Sequence, residues 1–292
     1  MRLARIRRHP GGAVELVAAV GDPADEMLLP LGDAAGGAGA DPVVALATVG
    51  EPALRADVER LLRGGAETVR ADDVVFEPPV ATCSKICCFA LNYADHAAES
   101  RLDVPPAPVV FFKPPSALVG HRAEVRPPAR TRHVEHEVEL AVVIGRQCTA
   151  VHPDDWRGVI AGYTVINDMT ARDLQLASMR RQEPWDHAKA FDTFAPLGPY
   201  LVTPDEVPDP QDLVLTLTVG GEVRQRAHTA HMVFPIAQLL ADLSDGMTLY
   251  PGDVLATGTT AGIAPLRDGD VMHATVSGFG TLTNRIHWAP SS

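Results

Sequence analysis

Glu135-His136-Glu137-Val138-Glu139-Leu140-Ala141-Val142-Val143-Ile144 sets three carboxylates on alternate positions at the head of an apolar run. In an extended strand, residues i and i+2 share a face, so the three acids project together. His136, Val138, Leu140, Val142 and Ile144 fall on the other face, which reads as core. Like charges crowded at a core edge repel one another and resist desolvation. A hard divalent cation is the natural neutralising partner. The bland alternative is a solvated edge strand.

Short strand patterns extend outward from this run, over 85–90, 109–112, 138–144, 158–166, 213–219, 253–257, 271–276 and 281–286. Gly220-Gly221 closes a hairpin from the 213–219 run into Glu222-Val223-Arg224-Gln225. A helix is expected over 231–243, where Met232, Phe234, Ile236, Leu239, Leu240 and Leu243 form an apolar face, with Thr229 as its N-cap. Residues 1–78 read as a small N-terminal accessory domain. It has a strand-like run at 14–20, a Gly/Ala loop at 32–40, an apolar run at 43–47 and a helix over 52–62. Residues 79–292 read as the catalytic domain. The fold class expected is α+β, rich in strands.

Asp168 follows Gly162-Tyr163-Thr164-Val165-Ile166-Asn167 and so sits at a strand end. Glu137, Glu139 and Asp168 together offer three oxygen ligands, which suit Mg²⁺, Mn²⁺ or Ca²⁺ better than zinc. In Asn92-Tyr93-Ala94-Asp95-His96-Ala97-Ala98-Glu99, His96 and Glu99 stand three apart, neighbours on one helical face. A carboxylate beside imidazole orients the ring and raises its basicity, as a general base requires. The stretch that follows, Arg101-Leu102-Asp103-Val104-Pro105-Pro106, is expected to be a mobile loop and a candidate lid. The chain carries 25 Lys plus Arg, and only Lys85, Lys113 and Lys189 are lysines. A lysine kept against that bias suggests a need for a compact ammonium. Lys113 and Lys189 both stand near aromatic residues, where they could grip a carboxylate or an oxyanion. Gly258-Thr259-Thr260-Ala261-Gly262 permits close backbone approach and could form an anion nest.

With 46% hydrophobic and 21% charged residues among 292, the chain is compositionally an ordinary globular protein. Its net charge of -12 argues against nucleic acid or an anionic membrane as partner. It holds no apolar stretch of about 18 residues, so no membrane span is expected. The basic start, Met1-Arg2-Leu3-Ala4-Arg5-Ile6-Arg7-Arg8, lacks the apolar core of a signal peptide, which makes a cytoplasmic location the expectation. Cys83, Cys87, Cys88 and Cys148 form no CxxC pair and read as small buried residues.

These residues taken together resemble the fumarylacetoacetate hydrolase family. The matches run in order from Asn92–Glu99 through Phe112-Lys113-Pro114, Glu137-Val138-Glu139-Leu140, Gly162–Asp168 with Ala171-Arg172-Asp173-Leu174-Gln175, and Lys189-Ala190-Phe191-Asp192-Thr193-Phe194. They end at Pro251-Gly252-Asp253 and Gly258-Thr259. The resemblance implies a β-rich mixed fold of sandwich or roll type, a homodimer, and Mg²⁺ or Mn²⁺ on Glu137, Glu139 and Asp168. It implies that His96, paired with Glu99, activates water. Lys189 would bind the substrate's oxygens, with Lys113, Gln175, Gly258 and Thr259 around it. The substrate class implied is a small 2-oxo or 2,4-dioxo carboxylic acid, cleaved at a carbon–carbon bond through a metal-stabilised enolate. Relatives on the same scaffold isomerise a hydroxydienoate or decarboxylate a keto acid. Three departures from the family pattern stand out: Glu135-His136 replaces an aspartate–aromatic pair, the stretch 178–187 before Lys189 is less standard, and Gly258-Thr259-Thr260 replaces Gly-Thr-Pro. Glu135 is then expected behind the ligands, with His136 facing away.

Overall fold

The Val138–Ile144 strand lies inside a 12-stranded mixed sheet, and all seven of its residues are buried. The computed structural model describes residues 1–21, 26–37 and 39–288. On one side Val138–Ile144 pairs antiparallel with Ile160–Asn167, register Glu139 to Ile166. On the other it pairs antiparallel with Val254–Ala256, which runs parallel to Ile86–Ala90. The order then continues to Val109–Lys113. A second sheet of five strands is built on Val214–Val219, Glu222–His228, Val271–Val276, Thr281–Ile286 and Glu124–Val125. Leu140, Val142 and Ile144 pack into the core that also takes Leu215, Leu217 and Met272 from this second sheet. The β-rich α+β class expected from the sequence is the class observed.

The face that carries Glu139 is not a solvated one. Ala141 and Val143, which share it by alternation, belong to a second buried cluster with Ile86, Cys88, Phe111 and Val254. A strand covered on both faces reads as a continuous apolar run, as Leu140 to Ile144 does. The expectation of one acid face and one core face therefore holds only at the strand's head. The acids stand at the rim of a core, where water cannot neutralise them.

The strands expected over 138–144, 271–276 and 281–286 are observed as Val138–Ile144, Val271–Val276 and Thr281–Ile286, and the Gly220-Gly221 hairpin is formed. The helix expected over 231–243 is shorter, Ile236–Ser244. Pro235 fixes its own backbone angle and donates no hydrogen bond, so the helix starts after it. Thr229 is accordingly not its cap; its Oγ1 accepts from Leu213 N at 2.9 Å. The strand expected from 158 begins at Ile160, because Trp156–Val159 makes a 3-10 turn. Gly32–Ala35, inside the expected 32–40 loop, is also a 3-10 turn, and residue 38 lies outside the described residues.

Several strands escaped the sequence patterns, and the two longest of them are Arg2–Arg7 and Ala195–Val202. Arg2–Arg7 is half arginine with no strict alternation, and Ala195–Val202 carries two prolines and a glycine. They pair with each other, Leu3 opposite Leu201. Glu15–Val20, Met27–Pro30 and Val69–Arg70 then continue the order outward. The N-terminal segment is thus hydrogen-bonded into the same sheet that carries the acids. Helices Pro42–Thr48 and Glu51–Arg63 complete this part, the first capped by Asp41, whose carboxylate accepts from Val43 N at 2.9 Å. All four cysteines are free, Cys87 and Cys88 are buried, and burial pushes the Cys87 thiol up to about 12. Among the described residues no helix is long and apolar enough to cross a membrane.

Candidate active site

Glu137, Glu139 and Asp168 converge: one carboxylate oxygen from each lies within 4.8 Å of the others, and all three residues are buried. Backbone pairing beyond the strand ends brings them together. Asp168 N donates to Glu137 O at 2.8 Å, and Glu137 N donates to Asn167 Oδ1 at 2.8 Å. Gly258 N donates to Glu139 Oε2 at 2.6 Å. Gly258 has φ of +99°, and a Cβ there would lie 2.7 Å from Asn92 Cβ and 3.0 Å from Phe89 O. Gly258→Ala should therefore cost about 1–3 kcal/mol or more, read by urea denaturation, because the clash adds to the backbone strain; Gly221, also at positive φ (+87°) but with no atom within 4 Å of a Cβ, should pay the strain alone.

Cations crowd the triad. Lys189 Nζ donates to Glu137 Oε2 and Asp168 Oδ2, both at 2.6 Å, and lies 4.9 Å from the Phe111 ring centre. Lys113 Nζ donates to Asp168 Oδ1 at 2.6 Å and to Met169 O at 3.1 Å. Arg172 joins Glu137 Oε1 to Glu135 Oε2, each at 2.6 Å, and donates to Gln175 Oε1 as well. Burial opposes ionisation of Glu137, but Lys189 and Arg172 outweigh it and hold its carboxyl below the usual range. Burial likewise opposes charge on Lys189, and Asp168 and Glu137 reverse that and raise its pKa. Glu139 differs. Burial and the neighbouring Asp168 and Glu137 charges push its carboxyl well above the ordinary range. Among the described residues no cation pairs with it. Four carboxylates, Glu135 included, thus face three cations, and the uncompensated one belongs to a set of hard oxygen donors. A divalent cation bound by oxygen fits this donor set and this deficit of positive charge.

Leu91 leaves the Ile86–Ala90 strand at φ of 56°, and the Asn92 side chain pins the turn. Asn92 Nδ2 donates to Phe234 O and Thr257 O, at 3.1 and 2.8 Å, and its Oδ1 accepts from Phe234 N at 2.8 Å. Helix Ala94–Glu99 follows and carries His96. His96 Nδ1 stands 3.6 Å from Glu99 Oε2, beyond hydrogen-bond range, and has no other partner. Glu99 is held in turn by Gly262 N at 3.0 Å.

A cavity of about 470 Å³ is lined by the triad, His96, Glu99, Lys189, Gln175 and Thr259. Thr259 Oγ1 donates to Val138 O and accepts from Gln225 Nε2, at 3.0 and 2.9 Å. Lys113 does not line the cavity; it stands behind Asp168. Breaking that buried pair by Lys113→Met should cost about 3–5 kcal/mol in denaturant unfolding. Glu135 lines the cavity and also accepts from His133 Nε2 at 2.7 Å. His136 faces away, its Nδ1 3.0 Å from Gln225 Oε1. The sequence patterns missed Arg172 and Gln225. Arg172 lies within a quoted motif but is one of 22 arginines, so nothing in composition marks it.

Hard donors beside an unpartnered imidazole, in a cavity sized for a small molecule, could hold a divalent cation and a small ligand together. Residues 85–287 match the family described as fumarylacetoacetate (FAA) hydrolase, C-terminal. The solved structure of maleylpyruvate hydrolase from Sphingobium sp. SYK-6, in complex with manganese(II) and pyruvate, superposes with a TM-score of 0.82. It is 32% identical and the match covers 99% of this chain and 100% of that one. The 2-hydroxyhepta-2,4-diene-1,7-dioate isomerase of Mycobacterium marinum gives a TM-score of 0.76 at 33% identity, covering 100% of both chains. A mitochondrial oxaloacetate tautomerase of Rattus norvegicus is 38% identical over 244 residues, 81% of this chain and 77% of the relative. The chain belongs to the fumarylacetoacetate hydrolase family, whose members are enzymes.

Proposed function

We propose that the protein hydrolyses a carbon–carbon bond in a small 2,4-dioxo acid, with His96 as the base that activates water. The observation that carries this is the opening of His96 and Glu99 into the same cavity as the buried triad. Glu137, Glu139 and Asp168 would hold Mg²⁺ or Mn²⁺, which supplies Lewis-acid polarisation of the substrate's oxo and carboxylate oxygens. Lys189 fixes the spacing of Glu137 and Asp168 and offers an ammonium at the cavity wall. Arg172 holds Glu137 charged and in place, with Glu135 and Gln175 fixing the guanidinium from behind. With its proton on Nδ1 toward Glu99, His96 presents the Nε2 lone pair. Nε2 takes a proton from water as the water oxygen adds to the 4-oxo carbon. The C3–C4 bond then breaks, the carboxylic acid departs, and C3 is protonated to leave the 2-oxo acid. Thr259 lines the wall beside Glu139, and Gly258, which does not line the cavity, holds Glu139 through its N–H.

The second reading is an isomerase, tautomerase or decarboxylase on the same centre, the first two favoured by the activities named for the Mycobacterium marinum and Rattus norvegicus proteins. Proton transfer through His96 needs no water to add. Assay of acetylpyruvate, fumarylpyruvate, a hydroxydienedioate and oxaloacetate with added Mn²⁺ separates these. Release of pyruvate with an equal amount of carboxylic acid is expected; loss of enol absorbance without cleavage would favour the second reading. A cytoplasmic homodimer completes the proposal, and sedimentation velocity checks the dimer.

A further inference from the structure

The walls of the active cavity determine which tail the substrate can carry, and this inference rests on the proposed function. Five carboxylates line the cavity: Glu99, Glu135, Glu137, Glu139 and Asp168. Its lining contains two cations, Arg172 and Lys189, and neither is free. Arg172 is taken up by Glu135, Glu137 and Gln175, and Lys189 by Glu137 and Asp168. Counting Lys113 behind Asp168, one divalent cation brings this set of groups to neutrality, and the carboxylate of a 2-oxo acid carries it one charge negative. Apart from His96, Ser100, Gln175 and Thr259, the rest of the wall is apolar. Phe111 and Trp185 meet at a tilt, ring centres 4.9 Å apart, and Leu102, Leu176 and Met179 line the cavity while keeping 42, 43 and 38% of their surface in solvent, which places them at its mouth. A second carboxylate entering here would lie against hydrocarbon, without a counter-ion and beside Glu99.

We infer that the cavity selects 2-oxo acids whose tail is uncharged and apolar, and discriminates against diacids. The tail rests on the wall formed by Leu102, Leu176 and Met179. Leu176 and Met179 lie on helix Arg172–Arg180 with part of their surface in solvent, so a longer polar side chain is accommodated there without disturbing the core.

The test is calorimetric binding of 2-oxohexanoate and of 2-oxoadipate to the Mn²⁺-loaded protein. These acids share a chain length and differ at the far end. The expected result is a preference for 2-oxohexanoate on the order of 10- to 100-fold. Leu176→Arg, with Met179→Arg as a second variant, supplies the missing counter-ion and should narrow or reverse that preference. Equal or tighter binding of 2-oxoadipate by the wild-type protein would overturn the inference and leave the proposed function standing. An unchanged preference in both arginine variants would overturn the placement of the tail on this wall. Binding of neither acid would overturn the proposed function and this inference with it.

Discussion

Glu139→Gln is expected to reduce kcat/KM by about 1,000-fold or more while the protein stays folded. Lewis-acid stabilisation of a developing charge is worth several kcal/mol, and each 1.36 kcal/mol is about tenfold in rate. The substitution removes the ligand that has no cationic partner of its own, so no ion pair is broken. The amide is close in size to the carboxyl and fills the same space. Mn²⁺ at about 100 times its dissociation constant stabilises a folded site by about 2.7 kcal/mol. For a chain of this size that is a rise of several degrees in melting temperature. The wild type should show this rise and Glu139→Gln should not. The pH dependence of the metal-free proteins has a definite sign. Glu139 is raised above its unfolded value by burial and by Asp168 and Glu137, so its stabilising contribution is present below the ordinary glutamate range, about 4.3. That contribution is lost as pH rises through the raised value. The glutamine variant has nothing to lose there, so its metal-free melting temperature should fall less than the wild type's between acidic and neutral pH. Equal falls would contradict the assignment of Glu139 as the uncompensated acid.

His96→Ala should lower kcat by about 100- to 10,000-fold, the usual contribution of a positioned base, and leave Mn²⁺ affinity close to wild type. His96 touches no triad atom within hydrogen-bond range, and its nearest charged partner is Glu99. Parallel loss of activity and of Mn²⁺-dependent stabilisation would make His96 a ligand and remove it from the role of base. Glu99→Gln tests the same pair from the other side. It keeps a side chain able to accept from Gly262 N but withdraws the charge facing Nδ1. Its effect should be smaller than that of His96→Ala and confined to kcat.

The centre was legible in sequence where local geometry defines it. Alternation along Glu137 and Glu139, and a strand ending before Asp168, are short-range features that survive folding. The three-residue spacing of His96 and Glu99 is equally local. What was hidden depends on partners distant in sequence. Glu135 keeps its place in the alternation and lines the cavity, yet it belongs to a separate short strand, Val134–Glu135, paired with Thr170–Ala171. Whether Lys113 points at the substrate or at the back of Asp168 depends on the pairing of Val109–Lys113 with Ile86–Ala90. Ala195–Val202 looked unlike a strand because proline is excluded from most ladder positions, although this strand joins Arg2–Arg7 to the rest of the sheet. Gln225, which ties His136 at the head of the Val138–Ile144 strand to Thr259 beside the cavity, carries no sequence signal.

The most direct measurement is turnover of acetylpyruvate by the Mn²⁺-loaded protein in heavy-oxygen water, with both products analysed by mass spectrometry. Water activated by His96 should leave one heavy oxygen in the acetate, with pyruvate formed in equal amount. Consumption of the enol form without release of acetate, or acetate carrying no heavy oxygen, would contradict hydrolysis at this centre.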